Sequence, residues 1–351
     1  MTRAYDVVAH GQPLEPRELA LSHPVGREVL LKVRTCGVCH TDLHLWDGFY
    51  DLGDGERLDM SSRGIRLPMT LGHEIVGEVA AIGTEAQRVS LGDRRVIFPW
   101  IGCGTCLICS AGNGHLCLEP RTLGIFRPGG YAEHVLVPSP DYLFDFDGIP
   151  EAFAATLACS GITVYSALLK LGPPAAAGRP LFIGAGGLGL TAIQLAGAMG
   201  FAPPVIADVN PAKLEAVSHL RGVDVVDASL ADAPHKIAGY TGGGATAAID
   251  FVGSKASAQL GLDALRRGGK LIFVGLFGGR MSIPVPLMAL RAISLIGSYV
   301  GSIQEFQRLI DLVKTGTVAS IPTSTRSLAE ATQALSDLRE GKVVGRILLQ
   351  P

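Results

Sequence analysis

The nine residues LFIGAGGLG, numbered 181–189, join a short apolar strand to a glycine turn and the start of a helix. The glycines follow the spacing G-x-G-x-x-G. The first makes the turn, the second lets a pyrophosphate approach the backbone, and the third lets helix and strand pack closely. The N-terminus of the helix faces the phosphates. The turn therefore predicts a dinucleotide site with the contact residues Gly184, Gly186, Gly187, Leu188 and Gly189.

An acidic residue follows this turn at the spacing typical of a dinucleotide site. Asp208 comes 19 residues after Gly189, at the end of the apolar run Val205–Asp208. A carboxylate in this place accepts hydrogen bonds from the adenosine ribose hydroxyls. It would repel the additional phosphate of NADP, and the following residues, VNP, contain no arginine to neutralise that phosphate. The sequence therefore predicts NAD as the cofactor.

The residues around the glycine turn alternate between apolar strands and helices. The predicted strands are Leu181–Gly184, Val205–Asp208, Ala247–Val252 and Lys270–Gly275, and the predicted helices are Leu188–Met199 and Pro211–Leu220. This alternation has the spacing of βαβ units, which predicts a parallel sheet covered by helices on both faces. Two helices and a strand are predicted to close the chain, at Ile303–Lys314, Leu328–Glu340 and Val344–Leu349.

The first 150 residues have a different texture, with many short runs rich in β-branched residues, broken by Gly and Pro. The predicted strands are Glu28–Thr35, Ile75–Ile82, Arg94–Phe98 and Ala132–Val137. This pattern favours a barrel-like β domain. The segment Asp47–Arg66 has no clear period, and we expect a long loop there that is functional or mobile.

Four cysteines fall within 15 residues in the pattern C-x2-C-x2-C-x7-C, with several glycines between them. Four thiolates in a tight loop suit a tetrahedral zinc ion and leave no position open for a substrate. The alternatives are two disulfides or four unrelated thiols, which this close spacing disfavours. The predicted ligands of a structural zinc are Cys103, Cys106, Cys109 and Cys117.

A second set of metal-binding side chains is scattered over three runs: CGVCHTDLH at 36–44, GHE at 72–74 and LACSG at 157–161. One Cys, one His and another Cys would supply three protein ligands and leave a fourth position for water or substrate, as in catalytic zinc sites. Taken singly, each cysteine could be a small buried side chain and each histidine merely hydrogen-bonded. Spacing alone does not assemble these residues into one site.

These runs, with GHEIVGEV at 72–79, GCGTCLIC at 102–109 and the glycine turn, stand in an order that resembles the zinc-containing medium-chain alcohol dehydrogenases. The resemblance covers essentially the whole chain and is strongest to the yeast and bacterial tetrameric branch. It implies an α/β fold in which a Rossmann-type doubly wound parallel sheet is joined to a GroES-like β-barrel catalytic domain. The implied catalytic domain comprises residues 1–152 and 301–351, and the implied dinucleotide-binding domain comprises residues 153–300.

The resemblance also implies a set of roles at the catalytic zinc. Cys39, His73 and Cys159 match its ligands, whereas Cys36 matches a position that does not bind metal. Glu74 matches a carboxylate behind the metal that can approach it, and Asp42 matches a carboxylate that orients the histidine ligand.

The implied reaction passes a hydride between an alcohol and NAD, with zinc acting as the Lewis acid. Thr41 and His44 match the groups that take the proton from the alcohol to solvent, and His40 matches a basic group near the pyrophosphate. The other positions that match cofactor contacts are Lys213, Val274, Ser298, Val300 and Arg346. Trp46 and Trp100 match positions near the walls of the substrate pocket.

Three other functions compete with this interpretation. A polyol or amino-alcohol dehydrogenase would share the fold, the zinc and NAD, and a substrate panel would separate it. A zinc-stapled NAD-binding sensor would need no proton relay, so the full Thr41 and His44 motif argues against it. A zinc-free quinone reductase is disfavoured by both cysteine clusters.

The composition limits the possible partners and the location. The chain has 351 residues, a formal net charge of -2 and no basic stripe, which argues against binding to nucleic acid or anionic membranes. No secretion signal is visible at the N-terminus, and the cysteine usage suits a reducing compartment. We expect a cytoplasmic enzyme with a small-molecule substrate and two zinc ions per chain. The resemblance favours a homo-oligomer, a tetramer rather than a dimer.

Overall fold

The computed structural model describes residues 1–21 and 23–351, in which two large sheets and two smaller ones are formed. The strands are β1 (Thr2–Val7), β2 (Glu15–Leu19), β3 (Val29–Gly37), β4 (Phe49–Gly53), β5 (Glu56–Asp59), β6 (Met69–Thr70), β7 (Glu74–Ile82), β8 (Arg94–Ile97), β9 (His134–Val137), β10 (Leu143–Phe144), β11 (Leu181–Ile183), β12 (Val205–Asp208), β13 (Asp224–Asp227), β14 (Ala245–Asp250), β15 (Leu265–Phe273), β16 (Ser294–Gly297), β17 (Thr323–Ser327) and β18 (Arg346–Gln350). The helices are α1 (His40–Asp47), α2 (Leu107–Ser110), α3 (Glu151–Thr156), α4 (Ile162–Leu171), α5 (Pro174–Ala177), α6 (Gly187–Ala198), α7 (Pro211–Ser218), α8 (Ala233–Thr241), α9 (Lys255–Ala264), α10 (Val285–Arg291), α11 (Ile303–Lys314) and α12 (Ala331–Arg339).

One large sheet is parallel and contains six strands in the order β13-β12-β11-β14-β15-β16. The first strand, β11, lies at the centre, β12 and β13 extend the sheet to one edge, and β14, β15 and β16 then form the other half. The crevice where the order reverses lies between β11 and β14, and such crevices bind dinucleotides at the carboxyl ends of the strands. The central strands are continuous apolar runs because helices cover both faces of the sheet. The predicted Rossmann-type sheet is confirmed.

The other large sheet has the order β10-β8-β7-β3-β18-β17, with β9 paired to β3. Its longest strands, β3 and β7, pair antiparallel, and a three-stranded sheet of β2, β1 and β6 lies beside it in the N-terminal part of the chain. Strand β18 pairs antiparallel with β3, so the end of the chain returns to the sheet that its first 150 residues build. This is the β architecture that the short N-terminal runs predicted.

The segment Asp47–Arg66, which we expected to be a loop, is largely a β-hairpin of β4 and β5 followed by a short 3₁₀ turn, Ser61–Arg63. Asp54 and Gly55 form its tip with φ of 56° and 82°. An Asp-Gly pair with positive φ at both residues is a favoured two-residue hairpin turn. The alternation of apolar and polar residues was hidden because most of the hairpin side chains are exposed.

A long apolar helical run, Glu151–Leu171, connects the two large sheets and consists of α3, a π-helical turn at Leu157–Gly161 and α4. Its length and composition would also suit a membrane span, but 89 % of its apolar window is buried inside the protein. The apolar side chains of this run join the main hydrophobic core with strands from both large sheets. The run is therefore a central packing element of the fold.

Candidate active site

Three metal-binding side chains from distant parts of the chain meet in the core. The ligand atoms of Cys39, His73 and Cys159 all lie within 4.8 Å of one another, and each side chain is buried. Cys39 is the N-cap of α1, whose Thr41 backbone N–H donates to its sulfur at 3.4 Å. His73 stands directly before β7, and Cys159 lies in the π-helical turn. Such turns are frequent at functional sites, because the extra residue redirects a side chain.

The geometry of these donors suits a zinc ion. The two sulfurs are 3.7 Å apart, close to the edge of about 3.8 Å that a tetrahedron with Zn–S bonds of about 2.3 Å would have. The His73 Nε2 is buried and has no hydrogen-bond partner among the described residues, which leaves its lone pair free to bind metal. The Cys159 thiol donates to Cys39 and so holds the pKa of Cys39 well below its usual value. Two sulfurs and one nitrogen leave a fourth tetrahedral position for a substrate oxygen.

Asp42 organises the residues behind these donors. Its carboxylate accepts the Cys39 backbone N–H at 2.9 Å and the Tyr131 hydroxyl at 3.3 Å. It also lies 3.3 Å from His73 Nδ1, in a poorly aligned contact. An acceptor at Nδ1 favours the tautomer that points the Nε2 lone pair at a metal. Cys36 is not part of this group of metal-binding side chains, since its thiol points toward the Gly37 carbonyl at 3.7 Å.

Glu74 follows His73 but lies outside the group of three ligands. Its carboxylate is 3.2 Å from Arg346 Nη2, and both side chains are buried. Burial raises the pKa of Glu74 to about 7, although the Arg346 charge acts in the opposite direction. Arg346 also donates to the Val38 carbonyl at 3.2 Å. The structure thus makes Glu74 the counter-ion of Arg346, and its approach to a metal stays a prediction.

The predicted proton relay lies on α1. Thr41 and His44 are half-buried and three residues apart, so they share one face of the helix. The ring of Tyr50, on β4, lies 4.7 Å from the ring of His44. His40 is exposed at the start of the same helix.

The four-cysteine lobe has the geometry of a second zinc site. The sulfurs of Cys103, Cys106, Cys109 and Cys117 all lie within 4.8 Å of one another. All four cysteines are free, with two of the separations at 4.0 and 3.8 Å, so the disulfide alternative, which needs an S–S bond of about 2.05 Å, is excluded. The Cys109 backbone N–H donates to the Cys106 sulfur at 3.5 Å. The lobe is therefore preformed for a tetrahedral ion without an open position.

The glycine turn has the shape that a pyrophosphate needs. Gly184 has φ of 102°, and a Cβ on Gly189 would lie 2.0 Å from the Gly184 carbonyl oxygen. Gly186 faces open space, and α6 begins at the next residue. A Cβ built on Gly187 would lie 3.7 Å from the guanidinium carbon of Arg346, so a cation borders this turn.

Asp208 ends β12 beside the turn, as the sequence predicted. It accepts the Ala185 backbone N–H at 2.7 Å and that of Asn210 at 2.9 Å. Each carboxylate oxygen keeps a further lone pair for a ribose hydroxyl. The remaining predicted contacts lie where the parallel strands end or on α7: Val274 and Val300 are buried, Lys213 and Ser298 are half-buried, and the Ser298 hydroxyl has no hydrogen-bond partner.

The two tryptophans have different places. Trp100 packs with its ring 5.4 Å from that of His73, and its indole N–H donates to the Ala158 carbonyl at 2.8 Å. Trp46 instead packs under the guanidinium of Arg339, which lies 4.3 Å from the ring centroid. Trp100 thus lies beside the candidate zinc site and Trp46 packs against α12, and the place of both in a substrate pocket stays a prediction.

Sequence reasoning missed several residues of the site. Tyr131 holds Asp42, and Tyr299 packs at 5.9 Å from Trp100. Tyr50 and Arg63 reach the site from the hairpin segment, which the sequence marked only as unusual. Tyr299 stands between Ser298 and Val300, two predicted contacts, and this was the one available signal.

A Rossmann sheet, an antiparallel β domain, a buried Cys–His–Cys centre and a four-cysteine lobe together define a zinc-binding, dinucleotide-linked dehydrogenase. The comparisons with known proteins agree with this class. The model of the alcohol dehydrogenase GroES-like domain matches residues 26–147, and that of the zinc-binding dehydrogenase matches residues 187–315. The chain belongs to the zinc-containing medium-chain alcohol dehydrogenase family.

Relatives match over the full length of the chain. An NAD-dependent alcohol dehydrogenase of Sulfurisphaera tokodaii is 37 % identical, with 99 % of this chain and 100 % of the relative covered. The crystal structure of the alcohol dehydrogenase from Aeropyrum pernix has a TM-score of 0.89 at 32 % identity and covers 99 % of this chain and 100 % of its own. The D-arabinose dehydrogenase from Sulfolobus solfataricus has a TM-score of 0.83 at 27 % identity, covering 100 % and 99 %. The predicted family and fold class are confirmed.

Proposed function

We propose that the protein is a zinc-dependent oxidoreductase that reversibly oxidises alcohols to aldehydes or ketones with NAD. The observation that carries this proposal is the convergence of Cys39, His73 and Cys159 in a buried site with a fourth position open. The glycine turn and Asp208 supply the matching cofactor site. The names of the full-length relatives support the same reaction.

The residues present suit both groups that the reaction needs. Cys39, His73 and Cys159 would hold a catalytic zinc, and the four-cysteine lobe would hold a structural one, giving two per chain. When bound, zinc supplies a Lewis acid that lowers the pKa of an alcohol hydroxyl, and NAD supplies the hydride acceptor. The cofactor-binding residues would be the glycine turn, Asp208 and Arg346.

The protein's own side chains position the substrate and move its proton. Thr41 would accept a hydrogen bond from the alcohol hydroxyl, and His44, one turn later on α1, would pass the proton to solvent. Asp42 keeps His73 in one orientation through its contact with Nδ1. Trp100 covers His73 and excludes water on that side.

A substrate screen with metal counting tests this function. We expect turnover of primary, secondary, cyclic or aromatic alcohols with NAD, and two zinc ions per chain by elemental analysis. One zinc per chain without turnover would instead support the NAD-binding sensor. Turnover confined to polyols or amino alcohols would support the alternative dehydrogenases.

We further propose the domain division 1–152 and 301–351 against 153–300, a cytoplasmic location and a homo-oligomer, with a tetramer expected. The pairing of β18 with β3 supports the division, because it ties the C-terminal residues to the N-terminal sheet. Strand β16 stands at the end of the parallel sheet. Nearby α10 exposes Val285 and Leu290, at 80 % and 70 % of their surfaces. An open strand edge beside apolar side chains suits pairing with a second copy of the chain.

A further inference from the structure

Arg63 lies at the end of the 3₁₀ turn that follows the β4–β5 hairpin, and its side chain is half-buried. Its guanidinium carbon is 5.4 Å from the ring centroid of Tyr50 and 6.0 Å from that of Phe126. Its Nη1 points toward the sulfur of Met60 at 4.0 Å. The cation is thus surrounded by aromatic faces and a thioether, which are weak partners for its five N–H donors.

Two contacts tie this position to the candidate active site. Tyr50, beneath Arg63, has its ring 4.7 Å from that of His44. On the other side, Tyr299 packs against Trp100, which covers His73.

Burial raises the pKa of Tyr299 to about 12, the Tyr50 hydroxyl adds to this, and the Arg63 charge opposes it. Arg63 similarly opposes the rise that burial causes in the pKa of Tyr50. The Arg63 charge thus acts on both phenols, and Tyr299 keeps 42 % of its surface exposed.

Among the described residues, Arg63 is one of two partly buried arginines without a carboxylate partner, and the other, Arg291, donates to the Leu262 and Leu265 carbonyls. Arg280 pairs with Glu56, Arg339 with Asp47, and Arg346 with Glu74. Among residues 1–21 and 23–351, no carboxylate forms an ion pair with Arg63. A half-buried guanidinium without an acidic neighbour can form its strongest contact, a bidentate charge-assisted pair, only with an anion from outside the protein.

We propose that Arg63, flanked by Tyr50 and Tyr299, is a specificity-determining residue that selects alcohols and carbonyls bearing a carboxylate at the end remote from the reacting carbon. The inference rests on the proposed alcohol dehydrogenase function and names its substrate class. The tyrosine hydroxyls could donate to the same carboxylate, and the rings of Trp100, beside His73, and Phe126, beside Arg63, would contact the part of the substrate between its two ends.

The test compares matched substrates in the zinc-loaded enzyme. We expect kcat/KM for 4-(hydroxymethyl)benzoate to exceed that for 4-methylbenzyl alcohol. Arg63→Leu should lower the ratio of these two values by about ten- to a hundredfold, the usual effect of a lost hydrogen bond to a charged group. Arg63→Lys should restore part of the ratio. A series of ω-hydroxycarboxylates, each compared with its 1-alkanol, should show one preferred chain length.

A binding measurement provides a readout that needs no turnover. Calorimetric titration of the NADH complex should show that 4-carbamoylbenzoate binds more tightly than 4-methylbenzamide. Arg63→Leu should reduce this difference in affinity. Arg57→Leu is the matched control, because Arg57 lies on β5, just before the turn that carries Arg63, stacks at 3.9 Å on Phe49 and is exposed. The ratio of the two binding constants in this variant should equal that in the unmodified enzyme.

The two hypotheses fail in different ways. Neutral alcohols oxidised without any preference for the carboxylate, or a preference that Arg63→Leu and Arg63→Gln leave intact, would overturn the role of Arg63 alone. An enzyme that turns over neither member of any pair, but binds 4-carbamoylbenzoate more tightly than 4-methylbenzamide in an Arg63-dependent way, would overturn the proposed function and retain the Arg63 contact. Equal binding of the two amides would remove that contact as well.

Discussion

His44 is half-buried on α1, and burial lowers its pKa below the ordinary histidine value. A base accepts a proton only in its neutral form, so alcohol oxidation should persist as the pH falls until it reaches this lowered pKa, and then decline. His44→Gln should remove that acid limb and reduce kcat by about 10²–10⁴-fold, or less where water replaces the base. The measurement is the pH dependence of kcat.

The control for this variant is His235→Gln, since His235 is exposed on α8, in the other part of the chain. It should leave the pH profile unchanged. An acid limb that survives in His44→Gln would show that the proton leaves by another route.

We expect Asp208 to set the choice between NAD and NADP. The 2′-phosphate of NADP would meet this carboxylate, while the ribose diol of NAD forms charge-assisted hydrogen bonds with it. We expect NAD to be favoured by at least about a hundredfold in kcat/KM. Asp208→Ser should reduce the ratio of kcat/KM with NAD to that with NADP, mainly by weakening NAD binding. Titration with each cofactor measures the change in affinity. Comparable turnover of the two by the unmodified protein would contradict the assignment.

At the scale of structural elements, the two zinc sites should separate stability from activity. Cys106 caps the four-residue α2, whose loop has few other constraints, so Cys106→Ala should lower the thermal midpoint by about 5 °C or more. Cys39 lies in a packed core, and Cys39→Ala should abolish turnover and remove one zinc while changing the midpoint less. Calorimetry and metal analysis check both variants. Equal losses of stability would contradict the assignment of one structural and one catalytic zinc site.

The hairpin provides a second prediction at this scale, because it crosses to the loop after β15. Gly53 and Gly55 both have positive φ, near 84° and 82°. A Cβ on Gly53 would lie 2.6 Å from the Arg280 backbone nitrogen, whereas one on Gly55 would meet nothing within 4 Å. Both alanine variants carry a backbone cost of about 1 kcal/mol, and Gly53→Ala alone adds overpacking of about 1–3 kcal/mol.

Gly53→Ala should therefore lower the thermal midpoint further than Gly55→Ala and raise KM for bulky alcohols, with zinc content unchanged. Gly55→Ala serves as its matched control for backbone strain. Identical thermal midpoints and KM values for the two variants would mean that the contact between hairpin and loop affects neither stability nor substrate binding.

At the scale of the whole molecule, the proposed oligomer depends on the exposed side chains of α10. Leu290→Asp places a charge where two copies would exclude water, so the variant should form particles with fewer subunits than the unmodified protein. Light scattering coupled to gel filtration gives the mass. Leu118→Asp is the control, since Leu118 is 86 % exposed in the cysteine lobe, far from α10 in sequence. A monomeric unmodified protein would refute the proposal.

The sequence predictions were accurate where a strand or helix shows its own hydrophobicity pattern within a single segment. Strands β11 and β12 and helices α6 and α11 were predicted within two residues of their observed bounds, since each is a continuous apolar or amphipathic run. The hairpin was missed because its mostly exposed side chains show no alternation. The helical run Glu151–Leu171 was also missed, because it is apolar on all sides and so lacks the stripe that marks a surface helix.

The sequence by itself determined the glycine turn and the four-cysteine lobe, because each lies within 15 residues, where backbone geometry alone brings the groups together. Only the tertiary structure decided which cysteine stands beside His73, since Cys39 and Cys159 are 120 residues apart and meet through packing of the π-helical turn against β7. The same holds for Arg63, Tyr50 and Tyr299. Contacts between distant segments depend on how whole elements pack, and no local pattern records that packing.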